Sequence, residues 1–356
     1  MDTVYPRSPH VRAVQIWLYA IAALVLFMVA LGGATRLTGS GLSIPEWQPI
    51  AGTLPPLSAA DWQDAFDKYR QTTQYRLVNK GMSLEAFKTI YWWEWSHRFL
   101  GRLIGFAFTG PFLWFWARGR LPHGLAVKLC GVLTLGAAQG VLGWAMVQSG
   151  LAGRIDVSHY RLALHLTLAV SVVGLLLWLA LDAGRAEPRW RMPSSRSWAA
   201  RVLVILILVQ IVFGALVAGL KAGLVYTTWP LMDGRPIPGG LWTLEPWYLN
   251  PFENVTLVQF QHRTMAYVLL AFALWHVWSV RADAKLARSA AAVAAALTLQ
   301  TGLGIWTLVT AMGEIPIVPA LAHQVNAVVV FGLAVRHVFR AAERTEWTKG
   351  GGAGGA

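Results

Sequence analysis

Nine histidines are spread over 356 residues, and four of them, His97, His165, His262 and His323, occupy equivalent places near the outer ends of apolar segments. Each is expected one to two helical turns inside its end, which at 1.5 Å per residue puts all four roughly 7–11 Å below the boundary. Histidines at one depth on facing helices form opposed pairs, His97 with His165 and His262 with His323. Two opposed imidazoles inside a helix bundle suit a six-coordinate heme iron. A zinc site would need a third or fourth N, O or S ligand nearby, and the sequence places none there. A single intramembrane histidine often does no more than bond a neighbouring helix, but a repeated pattern of four argues for ligands.

Three residues before His97 stands Glu94, in the run YWWEWSHRFLGR, and the matching residue before His262 is Gln259. An i, i+3 pair shares one helix face, so the carboxyl group is expected to face the same space as the imidazole. An acidic group costs about 2.5–3.5 kcal/mol at mid-membrane and marks a functional site by default; the ordinary alternative is a bridge to Arg98 or Arg102. The asymmetry implies chemistry needing a proton acceptor or a negative charge in the first half, and electron acceptance in the second.

Arg36, Arg98, Arg102, Arg161 and Arg263 ring the outer ends of the histidine helices. Guanidinium groups bind carboxylates with paired hydrogen bonds, so these five are expected to contact heme propionates, against the alternative of snorkelling to the membrane surface. Among the other histidines, His10 and His123 fall in loops and His159 precedes the fourth span beside Arg161. His276 and His337 each lie 14 residues below His262 and His323. That spacing, four helical turns, carries stacked hemes in cytochrome b type bundles. Against it, the first-half counterparts are Pro111 and Leu179, and both histidines sit near the basic inner rim.

The elements that must position these groups are membrane spans. Hydrophobic residues make up 56% of the chain and charged ones 13%, about half the charged content of a soluble domain. Stretches long enough to cross a bilayer run over 14–34, 90–117, 125–147, 160–181, 199–220, 255–280, 286–309 and 318–340. The net charge of +13 belongs to the connecting loops, so a nucleic-acid partner is excluded. Basic residues cluster at the N-terminus, in every even-numbered connection and at the C-terminus, which by the positive-inside rule places both termini in the cytoplasm. The first apolar run is too long for a cleavable signal and no small-residue site follows it; it reads as a retained helix. Cys130 is the only cysteine and lies within a span, which excludes an intrachain disulfide and a cysteine-rich metal site.

The chain also repeats itself. A shift of 182 positions places Gly32 on Gly214, Gly41-Leu42 on Gly223-Leu224, Trp47 on Trp229, Gly52 on Gly234 and Pro56 on Pro238. With slightly different offsets HRFL at His97 falls on HRTM at His262, QGVLG at Gln139 on QTGLG at Gln300, and His165 on His323. Because each unit has an even number of spans, the halves share one topology and are related by an axis along the membrane normal. The expected fold is an all-α membrane protein of eight transmembrane helices, arranged as two tandem four-helix bundles: 1–184 with the long outer loop 37–89, and 185–349, followed by a flexible tail at 350–356. In the outer loop, SAADWQDAFDKYR from Ser58 carries an S-x-x-D start signal and is expected to form a short amphipathic helix on the outer surface. The second-half loop, 221–254, resembles it but is shorter, and both are expected to act as lids.

These residues resemble the heme A synthase family, membrane enzymes that convert heme O to heme A for cytochrome oxidases. The resemblance runs from about Val14 to Arg340 through GGATRLTGSGLS at Gly32, EWSHR at Glu94, QGVLG at Gln139, QHR at Gln261, and the partners His165 and His323. It implies oxidation of a ring methyl of heme O to a formyl group in the first half, with His97 and His165 as ligands of that substrate and Glu94 as the catalytic carboxylate. It implies heme b as cofactor on His262 and His323. Heme O synthase and cytochrome oxidase assembly factors are the implied protein partners, and a bacterial inner membrane, with the heme sites toward its outer face, the implied location. Some relatives carry a cysteine pair in the outer loops; this chain has none, so a thiol relay is excluded. With both axial positions of the substrate iron filled by histidine, reaction is expected at the porphyrin edge, with water as oxygen source and electrons passing to heme b. Glu94 would stabilise positive charge at the methyl carbon or take a proton from attacking water. Two rival readings use the same histidines: a quinone-linked multi-heme electron-transfer cytochrome, and a non-enzymatic heme carrier or transporter.

Overall fold

The computed structural model describes residues 9–184 and 195–350, with side chains for all of these except 195–197 and 343–350. The glycine-rich tail, save Gly350, and most of the basic connection after the fourth span lie outside the described residues. Among those residues the fold is all-α, with no strand. Its helices are α1 (Pro9–Leu37), α2 (Ala59–Arg70), α3 (Thr73–Leu77), α4 (Leu84–Ala117), α5 (Leu125–Leu151), α6 (His159–Ala183), α7 (Ser195–Gly219), α8 (Asn250–Glu253), α9 (Val255–Ser279), α10 (Ala284–Val309) and α11 (Ile317–Gly350).

Among the described residues seven helices are long and apolar enough to cross a membrane: α1, α4, α5, α6, α7, α10 and α11. The chain is a multi-pass membrane protein. Helix α9 has the length, 25 residues, but Gln259, Gln261, His262, Arg263 and His276 lower its hydropathy. These polar groups spend their hydrogen bonds within the protein, Gln259 and Arg263 on the outer loop, Gln261 on the Pro251 carbonyl and His276 on His337.

Helix α1 packs against α4 and α6, α5 against α6 and more lightly against α4; α7 packs against α9 and α11, and α10 against both of these. The two groups of four meet where α1 and α6 lie against α7 and α11. The main core runs through this junction, from Val14, Leu18 and Val25 of α1 to Val170 and Leu176 of α6, Ile207 of α7, and Val330 and Phe331 of α11.

The outer loop of the first half is more structured than its sequence suggests. Helix α4 spans 34 residues, about 51 Å at 1.5 Å per residue, and starts at Leu84 rather than near Ile90. Phe87, Ile90 and Tyr91 on its early turns form a separate core with Phe66 and Tyr69 of α2. The expected start of α2 is present as a capping box: Asp61 N–H donates to Ser58 Oγ (3.1 Å) and Ser58 N–H to Asp61 Oδ2 (2.9 Å). Hydrogen bonding from Ser58, its N–H first, and then from the Leu57 N–H (3.2 Å) holds the Asp61 carboxyl below the usual carboxylate range. The second-half loop contains only single helical turns, at 222–224 and 247–249, before α8. Asn254 caps α9 by accepting from the N–H groups of Thr256 and Leu257.

Candidate functional site

Each of the four histidines meets a glycine of the neighbouring helix. A Cβ added at Gly32 of α1 would lie 2.8 Å from His97 Nε2, at Gly143 of α5 3.1 Å from His165 Cε1, at Gly214 of α7 3.0 Å from His262 Cε1, and at Gly304 of α10 2.9 Å from His323 Cε1. A Cβ at any of the four would crowd the imidazole, so glycine lets each ring approach the opposite helix closely. Three of these glycines follow a glutamine by one turn. Gln139, Gln210 and Gln300 each donate to the backbone carbonyl of the histidine across from them, His165 (2.8 Å), His262 (3.0 Å) and His323 (2.9 Å). The Q-x-x-x-G spacing was visible in the sequence, but its purpose depends on which helix lies opposite. The fourth position, one turn before Gly32, is Met28.

His262 and His323 face one another with ring centroids 6.4 Å apart and planes at 83°. With metal–imidazole bonds of about 2 Å, two rings flanking one metal ion lie about 6 Å apart, so the pair fits a metal held between them. His323 Nδ1 donates to the Gln300 carbonyl at 3.0 Å, which keeps the proton on Nδ1 and makes Nε2 the acceptor nitrogen; the Gln300 amide nitrogen lies 3.3 Å from it. Gln210 Nε2 lies 3.1 Å from His262 Nδ1. All four of these histidines are half-buried. His97 stands farther inside its helix than expected, because α4 begins earlier than its apolar run.

His276 and His337 differ in kind. Both are fully buried, and their Nε2 atoms are 2.8 Å apart in a direct hydrogen bond. The Ser289 hydroxyl lies 2.8 Å from His337 Nδ1. An iron between two imidazole nitrogens needs about 4 Å, so this pair holds α9 to α11 and leaves no room for a stacked inner heme.

Glu94 is 3% exposed and fully engaged. Oε2 accepts from the Ser43 hydroxyl (2.8 Å) and the Ile44 N–H (2.9 Å), and Oε1 accepts from Arg98 Nη2 (2.6 Å). The bridge to Arg98 anticipated as the structural alternative is therefore present; Arg102 instead donates to the Pro49 and Gln48 carbonyls. In the second half Gln259 Nε2 donates to the Tyr226 carbonyl (2.7 Å). Tyr226 stands where Ile44 does after the 182-residue shift, so the polarity of this contact is reversed between the repeats. The basic residues that follow the histidines close the loops: Arg98 donates to the carbonyls of Ile44 and Glu46, and Arg263 to that of Thr228.

The remaining arginines also bond carbonyls, Arg36 that of Ala218 and Arg161 that of Ala145. Arg102 and Arg263 each retain a buried Nη1 with no hydrogen-bond partner, which makes them the two of the five best able to take a further carboxylate. The aromatic cluster above the first site is mutually packed, with Trp95 stacked on Phe99 at 4.9 Å and edge-on to Trp92.

Fold and site together define a class: a multi-pass helical membrane protein with four histidines, each seated on a glycine of the neighbouring helix. Comparison with known proteins narrows it. The family described as cytochrome oxidase assembly protein, COX15-CtaA, matches residues 15–335. Proteins named heme A synthase are similar over most of their length: that of Parvibaculum lavamentivorans is 52% identical over 96% of this chain and 98% of its own, that of Rhodopseudomonas palustris (strain BisA53) 53% over 92% and 91%, and that of Azorhizobium caulinodans 50% over 94% and 95%. The chain belongs to the COX15-CtaA family of cytochrome oxidase assembly proteins.

Proposed function

We propose that this protein is a heme A synthase that oxidises a ring methyl of heme O to the formyl group of heme A. The observation that carries this reading is the difference between two corresponding histidine frames, a buried carboxylate at Glu94 in one and an amide at Gln259 in the other. The names of the relatives supply the product, heme A. Helix α9 counts as an eighth span, and the helices form two four-helix bundles, 1–184 and 185–349, related by a two-fold axis along the membrane normal. The matching helix contacts of the two groups support this arrangement. Both termini are cytoplasmic and the sites lie toward the outer face of a bacterial inner membrane, as the distribution of basic residues indicates.

In the first half His97 and His165 are the ligands of heme O. Glu94, fixed by three donors, presents its carboxylate on the same helix face as His97, where it acts on the methyl at the ring edge with water as the oxygen source. In the second half His262 and His323 hold heme b, with Gln210 and Gln300 fixing the ligand helices. Bound heme b supplies a one-electron redox centre that receives the electrons. Arg102 and Arg263, through their unpartnered Nη1 atoms, are the strongest propionate contacts, and Arg36, Arg98 and Arg161 line the same outer ends. Heme O synthase and cytochrome oxidase assembly factors are its protein partners.

The test is mass analysis of hemes extracted from the purified protein after expression with a heme O source. Heme A together with heme b is the expected content. A folded, heme b-containing protein that yields heme O and no heme A would overturn the reading in favour of a carrier.

A further inference from the structure

Oxidation of a methyl to a formyl group with oxygen from water releases protons and electrons in equal number. The electrons have a destination in the second half, whereas the protons must leave from a site whose carboxylate is 3% exposed. Above Glu94 the outer loop encloses a cavity of about 300 Å³. Its lining includes Ser43, Ile44 and Arg98, the three residues that donate to Glu94, and the charged Glu46, Asp64 and Lys68. Lys68 Nζ lies 3.0 Å from Glu46 Oε1 and 2.9 Å from Asp64 Oδ2, and all three side chains are substantially exposed. Glu94 Oε2 thus adjoins the Ser43 hydroxyl, which also reaches the Ile90 carbonyl at 3.3 Å, and the buried Ser43 lines the same cavity as the charged groups Glu46, Asp64 and Lys68.

The internal repeat provides the control. At the place of Ser43 the second half has Val225, and at that of Glu94 it has Gln259. Hydroxyl and carboxylate are both present where protons are produced and both absent where only electrons arrive. Valine can neither donate nor accept, and Gln259 spends its amide on the Tyr226 carbonyl, so the second half has no chain of exchangeable protons at this point.

We propose that the cavity over Glu94 is the proton exit of the first-half site, with the Ser43 hydroxyl as the relay between Glu94 and external water. This rests on the reading of the first half as the oxidising site and adds a proton-accepting role for Glu94. A proton taken by Glu94 Oε2 passes to Ser43 Oγ while the Ser43 hydroxyl proton passes to cavity water, and the charge reaches solvent past Lys68, Asp64 and Glu46. Ser43 is a positioning and relay residue and does not itself touch the reacting methyl.

Two experiments on the full-length protein test this. The first needs no turnover. In a Cys130→Ala background, Ile44→Cys is exposed to a small charged methanethiosulfonate from the outer side. It is expected to react, and adding Ala65→Trp at the cavity wall should slow the reaction at least tenfold. An inert Ile44→Cys in heme-loaded protein, with Leu57→Cys on the outer loop reacting as the positive control, overturns the port. The second compares Ser43→Ala with Ser43→Thr at equal heme content. Ser43→Ala should lower kcat for heme O oxidation about tenfold with KM unchanged and enlarge the solvent deuterium isotope effect, and Ser43→Thr, which keeps the hydroxyl, should restore both. Unchanged kcat in Ser43→Ala, or equal loss in both variants, overturns the relay. Normal heme A output from Glu94→Gln would remove the reading of the first half itself, whereas an inactive Glu94→Gln beside a fully active Ser43→Ala removes only the relay.

Discussion

The two halves hold their histidines differently. In the second half both rings are braced: Gln210 and Gln300 bond the backbone of His262 and His323, and a glycine lies under each imidazole. In the first half His165 has the same support from Gln139 and Gly143, but His97 has only Gly32, with Met28 where Gln210 stands in the repeat. A methionine side chain is flexible and apolar and fixes its neighbours weakly. A permanently bound cofactor gains from ligands that cannot move, because pre-organisation removes the cost of ordering them. A substrate that must enter and leave gains from one ligand that can. The half that lacks one glutamine brace is also the half with the carboxylate, so under the proposed function exchange and chemistry would be placed together.

The largest expected effect follows from the braced pair. His262→Ala or His323→Ala should abolish the low-spin heme b spectrum of the purified protein, whereas His97→Ala should leave it; unchanged spectra in both second-half variants would break the assignment of cofactor to that bundle. Next comes Glu94→Gln, which makes the first half like the second at one atom. A general acid or base contributes about 10² to 10⁴ in rate, so heme A formation should fall by that order with heme b retained. Loss of expression or heme content together with activity would instead assign Glu94 to bracing Arg98.

The glycine seats are expected to matter less, but measurably. Gly304→Ala places a methyl where His323 now sits, and overpacking of this kind costs about 1–3 kcal/mol. Heme b retention on dilution should weaken by roughly tenfold, and the equivalent Gly143→Ala should leave heme b intact. At the inner end, His337→Leu introduces the first-half residue and strips His276 of its partner. An unpaired buried group costs about 1–3 kcal/mol, so the melting temperature should drop while the heme b spectrum at low temperature persists; a lost spectrum would mean that the inner pair does more than join α9 to α11.

The smallest effect distinguishes the outer loops. The folded-state pKa of Asp61 is depressed, so its support of α2 is present above the ordinary carboxylate range near pH 4 and is lost as pH falls through the lower folded value. Amide exchange of residues 59–70, corrected for intrinsic rate, should rise on that acidification, while the second-half loop 221–249, with no such cap, should not respond.

Much of the molecule was legible in the chain. Apolar runs of bilayer length, the distribution of basic loops, the repeat and the capping signal before α2 are local properties, and each arises from short-range physics that acts wherever the residues occur. The substitution of Gln259 for Glu94 was legible for the same reason, since two copies of one motif can be compared residue by residue. What only the tertiary structure decided are contacts across helices and loops. His276 and His337 have the spacing of heme ligands, yet helix rotation brings their nitrogens to 2.8 Å and makes them a hydrogen bond. Arg98 follows a histidine, and the fold of a loop some fifty residues earlier in the chain turned it toward Glu94 and two carbonyls of that loop, those of Ile44 and Glu46. The Ser43 contact and the glycine seats were hidden likewise, because a hydroxyl or a missing Cβ acquires meaning only from what packing brings within about 3 Å of it.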